Sequence, residues 1–119
     1  MSFDDALREH LAAIEARDVE LLASTISERT LVLVTAKGEV STEPAHFLAL
    51  HRDWFASPTW SLETRLLHVH RGLDLATCVL ELRYRDEPAV DERSIVTLVF
   101  ALENERWVLV QDQNTPCRT

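Results

Sequence analysis

A small set of polar residues, on three separate stretches of the chain, has the types and spacing needed for proton transfer or ligand binding. The set is His51, Glu81, Arg83, Asp112 and Asn114. Residues two apart on a β-strand share a face, so Glu81 is predicted beside Arg83, and Asp112 beside Asn114, Val108 and Val110. A carboxylate or an imidazole can act as a general base, and an arginine can hold a carboxylate ligand.

Each of these two residue pairs also has a purely structural interpretation. Glu81 and Arg83 are typical of a solvated strand face. Asp112 and Asn114 are typical of the polar end of a strand. Binding or catalysis requires that the two strand faces converge on a common space, and the sequence alone leaves both interpretations open.

The third predicted helix would close such a space with aromatic side chains. His51 lies one turn before Trp54 and Phe55 on this helix. If the helix and the strands converge, the sequence predicts a pocket in which Asp112 or His51 is the catalytic base. The other predicted ligand contacts are Trp54, Glu81, Arg83 and Asn114.

Other kinds of site lack a supporting motif. His68 and His70 point the same way on a predicted strand, but no third ligand has a recognisable spacing, so we expect exposed histidines and no metal site. The chain has two glycines, which is too few for a phosphate-binding loop or a dinucleotide fingerprint, and no cofactor is expected. No serine lies in a G-x-S-x-G setting, and neither cysteine lies in a catalytic motif.

Composition limits the partners. The 119 residues carry a net charge of -8, and the basic residues are scattered, so binding to nucleic acid or to an anionic membrane is not expected. No apolar stretch approaches the roughly 20 residues of a membrane-spanning helix. Cys78 and Cys117 form no CxxC motif, which favours a reducing, cytoplasmic location.

Hydrophobic spacing places helices in the first half of the chain. Phe3, Leu7, Leu11 and Ile14 recur at three- and four-residue steps and predict one face of a helix. Asp18 is a plausible cap for a short second helix. After a β-rich run at 31–34, the residues 41–44 end in a proline typical of the first turn of a third helix.

The second half of the chain is predicted to be strands. Their ranges are 60–71, 75–85, 93–102 and 106–114. We therefore predict an α+β fold, formed by residues 1–119 as a single domain, in which a curved antiparallel sheet wraps around three helices as a cone. A pocket forms where the helices stop filling the cone.

Several segments resemble the nuclear transport factor 2-like superfamily, and more narrowly its SnoaL-like branch of largely uncharacterised small proteins. The segments are 11–14, 17–20, 49–55 and 106–116, with a tryptophan early in the final strand and a polar end to it. The resemblance implies a cone-shaped α+β barrel and a homodimer packed through the sheet. Members include isomerases, polyketide cyclases, dehydratases, epoxide hydrolases and non-enzymatic association domains, and fold does not choose between these.

Two residues of this chain resemble pocket residues of one member of that superfamily. His51 matches the pocket histidine of the calcium/calmodulin-dependent kinase association domain, and Arg83 matches its pocket arginine. The first-helix aromatic hydroxyl of steroid isomerases has no counterpart, because the only tyrosine is Tyr84.

Three functions are therefore expected. The leading one is a dimer that binds a small, partly apolar molecule in the cone. The second is an enzyme of the cyclase, isomerase or dehydratase type with Asp112 or His51 as its base. The third is a dimeric interaction module without a ligand, whose cone its own side chains fill.

Overall fold

The three predicted helices are present in the computed structural model, which describes residues 1–117. They are α1 (Phe3–Glu15), α2 (Val19–Ala23) and α3 (Pro44–Phe55). Ser2 caps α1 reciprocally, because its hydroxyl accepts the backbone N–H of Asp5 while the Asp5 carboxylate accepts the N–H of Ser2. No helix in this part of the chain is long and apolar enough to cross a membrane.

Within residues 1–117, six strands form one sheet. They are β1 (Val32–Val34), β2 (Val40–Ser41), β3 (Ser61–Arg71), β4 (Leu75–Asp86), β5 (Val90–Glu103) and β6 (Arg106–Pro116). Their order across the sheet is β2-β1-β6-β5-β4-β3. The long strands β3 to β6 form an antiparallel meander, and the short β1 adds to β6 in parallel. The predicted α+β fold, with a curved sheet around three helices, is confirmed.

A β-bulge in β6 decides which residues face the helices. Val99 pairs with Gln111 and Phe100 with Leu109, so Val110 has no partner on β5. The extra residue shifts the alternation of side chains by one position. Asp112 and Asn114 therefore share the concave face with Leu109, and the prediction that they share a face with Val108 and Val110 is wrong.

The concave face of the sheet packs against the helices to form the core. Phe3 of α1 meets Phe100 of β5 edge to face, with ring centroids 5.5 Å apart. Phe47 of α3 and Leu109 of β6 are almost fully buried in the same core. Leu82 of β4 also packs against this core, so it lies with Leu109 on the concave side of the sheet.

Candidate functional site

A cavity of about 260 Å³ remains between the concave sheet face and the helices α1 and α3. We call it the cone cavity. Most of its wall is apolar, with leucines from β1, β3, β4 and β5 facing Leu11 and Ile14 of α1. Its polar residues are His10, Thr35, His51, Thr64, Asp112 and Asn114. The volume lies just below the ~300 Å³ at which pockets for drug-sized ligands begin, so the cavity suits a smaller molecule.

Asp112 places a carboxyl group in an apolar part of this wall. On β6 it pairs with Leu98 of β5 on one side and with Leu33 of β1 on the other. Within residues 1–117 no side chain or backbone group donates a hydrogen bond to its carboxylate. Desolvation by this burial raises the pKa of Asp112 from 3.8 to about 7. The group can therefore exchange a proton near neutral pH.

His51 lines the same space, and one of its two ring nitrogens is already bonded within the protein. Its Nδ1 lies 2.8 Å from the backbone oxygen of Phe47, and a carbonyl can only accept, so Nδ1 carries the proton. Burial lowers the pKa of His51, and the bond to Phe47 offsets this only partly. The ring is neutral at pH 7, and its Nε2 is a hydrogen-bond acceptor.

His10 is a second cavity histidine, held by a chain of two hydrogen bonds. The Thr25 hydroxyl donates to the Leu22 carbonyl over 2.6 Å, and the Thr25 oxygen lies 2.8 Å from Nδ1 of His10. Both bonds form together when His10 Nδ1–H donates to Thr25. Burial, with a smaller effect of charge on His51, lowers the pKa of His10 to about 3, so the ring is neutral.

Trp54 forms the aromatic side of the cavity, and Trp60 packs against it. Its ring stacks on Trp60 with centroids 4.3 Å apart, and Trp60 Nε1–H donates to the Trp54 carbonyl over 3.0 Å. The guanidinium of Arg17 lies 3.9 Å from the centre of the Trp60 ring and donates to the Trp60 carbonyl. These contacts fix the orientation of Trp54.

The same residues 4–115 that build this site match the family model described as a SnoaL-like domain. The chain belongs to this family. The resemblance predicted from the segments of the sequence is thereby confirmed. A search of curated proteins found no significant match.

Solved structures place this SnoaL-like domain among nuclear transport factor 2-like folds. A protein from Thiobacillus denitrificans, provisionally assigned as a calcium/calmodulin-dependent protein kinase type II association domain, has a TM-score of 0.83 at 20% identity, covering 98% of this chain and 96% of its own. A provisionally assigned dehydratase of the nuclear transport factor 2-like family from Streptomyces avermitilis has a TM-score of 0.81 at 19% identity, covering 98% and 94%. A ketosteroid isomerase-like protein from Erwinia carotovora atroseptica has a TM-score of 0.79 at 10% identity, covering 98% and 94%. At these identities the likeness shows the fold alone.

The structure brings together four of the predicted site residues of the SnoaL-like domain. His51, Trp54, Asp112 and Asn114 line the cone cavity. Glu81 does not, because β4 turns Leu80 and Leu82 toward the cavity and its odd-numbered residues toward the convex face.

Arg83 shares that convex face and is also absent from the cavity wall. Its Nε and Nη2 donate to the Asp91 carboxylate over 3.1 and 3.0 Å, and the two side chains are about half exposed. Glu81 pairs in turn with Arg93 and Arg65. The prediction that Glu81 and Arg83 converge with Asp112 in one pocket is therefore wrong.

A wider recess of about 820 Å³ opens beside the cone cavity, and we call it the mouth. The mouth and the cavity share part of their walls, including Ala36, Trp54 and Asn114, so the cavity opens through it. Arg83 borders the mouth, which is its nearest approach to the site. Lys37, in the turn between β1 and β2, also borders the mouth.

Sequence reasoning did not single out His10, although a signal was available. His10 lies on the same helical face as Leu7 and Ile14, at three- and four-residue steps. A histidine among apolar residues on a buried face needs a partner, and Thr25 supplies only one. Elsewhere, His68 and His70 are exposed on β3, and no three His, Cys, Asp or Glu side chains within residues 1–117 are grouped to hold a metal ion.

Proposed function

We propose that this SnoaL-like domain binds a small, largely apolar molecule in the cone cavity. The observation that carries the proposal is an apolar space of about 260 Å³ lined by the carboxyl group of Asp112, which has no hydrogen-bond partner within residues 1–117. Side chains in protein interiors normally fill such space, and buried polar groups normally have partners. A ligand would fill the space and give the carboxyl group of Asp112 a hydrogen-bond partner. A cone filled by its own side chains, as an interaction module without a ligand requires, is not supported by this cavity.

A cavity-filling substitution tests the proposal. Val96 lines the cavity from β5, so Val96→Phe should occupy part of the space and weaken binding at least tenfold. The matched control is Val40→Phe on β2, where the valine is 65% exposed. Binding of the aromatic alcohol β-naphthol can be measured by isothermal titration calorimetry. Equal affinity in the wild type and in Val96→Phe would overturn the proposal.

A second candidate function is catalysis by Asp112 as general base, with His51 as the alternative base. Its support is the pKa of Asp112 near 7, together with the neutral Nε2 of His51 in the same cavity. The cavity wall described above contains no lysine or arginine to stabilise an anion. Within the cyclase, isomerase and dehydratase classes, we infer dehydration of a small hydroxyketone, because one base can take the α proton and return it to the leaving hydroxyl group.

A β-hydroxyindanone tests this function by its conversion to indenone, followed by ultraviolet absorbance. A base takes the proton α to the ketone, the carbon–carbon double bond forms, and the β-hydroxyl leaves as water once it is protonated. We expect the wild type to accelerate this reaction and Asp112→Asn to lose the acceleration. Asp53→Asn, on the exposed face of α3, is the control. Acceleration that survives both Asp112→Asn and His51→Phe would refute catalysis by either base.

We also propose that the domain forms a homodimer through the convex face of the sheet. Val79, Ile95 and Val99 lie on this face and are partly exposed. Clustered apolar side chains on one face are typical of an interface. Sedimentation velocity should find a dimer for the wild type and a monomer for Ile95→Lys. A monomeric wild type at micromolar concentration would contradict the proposal.

A further inference from the structure

The fixed polar atoms of the cone cavity are mostly hydrogen-bond acceptors. His10 and His51 both use Nδ1–H inside the protein, on Thr25 and on the Phe47 carbonyl, so each has only Nε2 left. The carboxyl group of Asp112 only accepts when it is ionised, and the buried Oδ1 of Asn114 is a further acceptor without a partner within residues 1–117. A molecule that enters the cavity therefore meets several lone pairs, and the Asn114 amide is a donor in the wall.

The Nε2 atom of His10 is, with Oδ1 of Asn114, one of two cavity acceptors that are buried without a partner within residues 1–117. His10 is 1% exposed, and its Nε2 is buried without a hydrogen-bond partner within residues 1–117. A buried acceptor that has lost its water destabilises the folded protein when no other donor replaces that water. Protonation does not relieve this cost, because burial disfavours the charged ring. A donor supplied from the cavity would relieve it.

We propose that the ligand of the cone cavity carries a neutral hydroxyl or N–H group that donates to Nε2 of His10, an inference that rests on the binding function proposed above. The rest of the ligand is apolar, because leucines and Trp54 form most of the wall. An anionic ligand is disfavoured, since Asp112 and both histidines present negative charge or lone pairs. Arg83, the predicted anion-binding residue, is outside the cavity and bonded to Asp91.

Thr25 is the positioning residue for this selectivity. Its hydroxyl proton is committed to the Leu22 carbonyl, so toward His10 it can only accept. That arrangement keeps the proton of His10 on Nδ1 and leaves Nε2 as an acceptor. Without the Thr25 oxygen the ring is free to place its proton on Nε2, where it would repel the ligand's donor. Thr25→Ser retains the oxygen, and Thr25→Val removes it.

Three probes with one skeleton and different polar groups test the inference on the wild-type chain. β-Naphthol can donate a hydrogen bond, its methyl ether can only accept, and β-naphthoate is an anion. Isothermal titration calorimetry at pH 7 should find β-naphthol bound at least tenfold more tightly than the ether and the naphthoate bound most weakly. No binding by any probe would overturn the proposed function and this inference together. If the ether or the naphthoate binds as tightly as β-naphthol, while Val96→Phe still weakens binding at least tenfold, the binding function stands and the donor inference is overturned.

Variants of the hydrogen-bond chain separate selectivity from folding. Thr25→Val should reduce the preference for β-naphthol over its ether to less than threefold, and Thr25→Ser should retain it. The ¹⁵N chemical shifts of the His10 ring should report a protonated Nδ1 in the wild type and in Thr25→Ser, and a mixture of tautomers in Thr25→Val. An unchanged preference in Thr25→Val, with the tautomer altered, would overturn the role of His10.

Discussion

Replacing Asp112 with asparagine is expected to change the pH dependence of stability in a defined direction. The pKa of Asp112 rises on folding from 3.8 to about 7 because the carboxyl group is buried between Leu33 and Leu98. Each pKa unit corresponds to about 1.4 kcal/mol, so the ionised group destabilises the folded state by up to about 4 kcal/mol. This figure is an upper value, because Asp112 borders the cavity and any water there would weaken the effect.

Because the pKa of Asp112 rises on folding, the carboxyl group makes the folded state less stable as the pH increases. Below pH 3.8 the carboxyl group is protonated in both states, and its contribution to stability is fully present. As the pH rises, the unfolded chain releases the proton while the folded protein keeps it, and stability falls. The loss is complete above pH of about 7, where both states are ionised. Asparagine does not titrate. The free energy of unfolding of Asp112→Asn should therefore rise relative to that of the wild type by about 4 kcal/mol between acid and alkaline pH.

Urea denaturation of both proteins from pH 4 to pH 9 measures this difference. Any fixed cost of placing an amide in the cavity is the same at every pH and cancels from the slope. Asp53→Asn, on the exposed side of α3, controls for the loss of one negative charge. A difference in the free energy of unfolding between the wild type and Asp112→Asn that stays constant across this range would refute the burial argument.

Three further substitutions test the scaffold. Trp60→Ala should lower the free energy of unfolding by about 3–5 kcal/mol, because Trp60 is 4% exposed and stacks on Trp54. Guanidine denaturation measures this loss, and a loss no larger than that of Trp60→Phe would contradict the prediction. Ser2→Ala should cost about 1 kcal/mol by removing the cap of α1, and Ser2→Asp should restore most of it; equal thermal stability of all three proteins would show that the cap is not formed. Arg83→Ala should leave the affinity for β-naphthol unchanged, because the guanidinium of Arg83 is outside the cavity and bonded to Asp91. A tenfold loss of affinity would show that Arg83 contributes to the site.

Most of the fold could be predicted from the sequence, because its signals are local. Helix spacing at Phe3, Leu7 and Leu11, the cap at Ser2 and the proline at position 44 each act within one or two turns. The long strands alternate regularly enough to be located within a few residues. The start of β5 at Val90, three residues before the predicted start, lies in the hairpin, where local signals are weakest.

The faces of the strands were harder to predict. On β4 the small and apolar residues Ala76, Cys78 and Leu80 lie on one face, which identifies the inward side and leaves Glu81 and Arg83 outside. That signal was present in the sequence. No comparable signal exists for the bulge in β6 or for the bond between His10 and Thr25, since both depend on which segments meet in three dimensions.

Asp112 enters the cavity because of the bulge that precedes it in β6, as well as because of its own chemistry. Val110 is the unpaired residue, so a regular ladder in which Val110 paired with β5 would present Gln111 and Gln113 to the cavity and turn Asp112 outward. Loss of the bulge would exchange an ionisable wall for a neutral amide wall without changing any helix. Within such folds, the register of one strand can therefore alter the chemistry of the cavity as strongly as a substitution does.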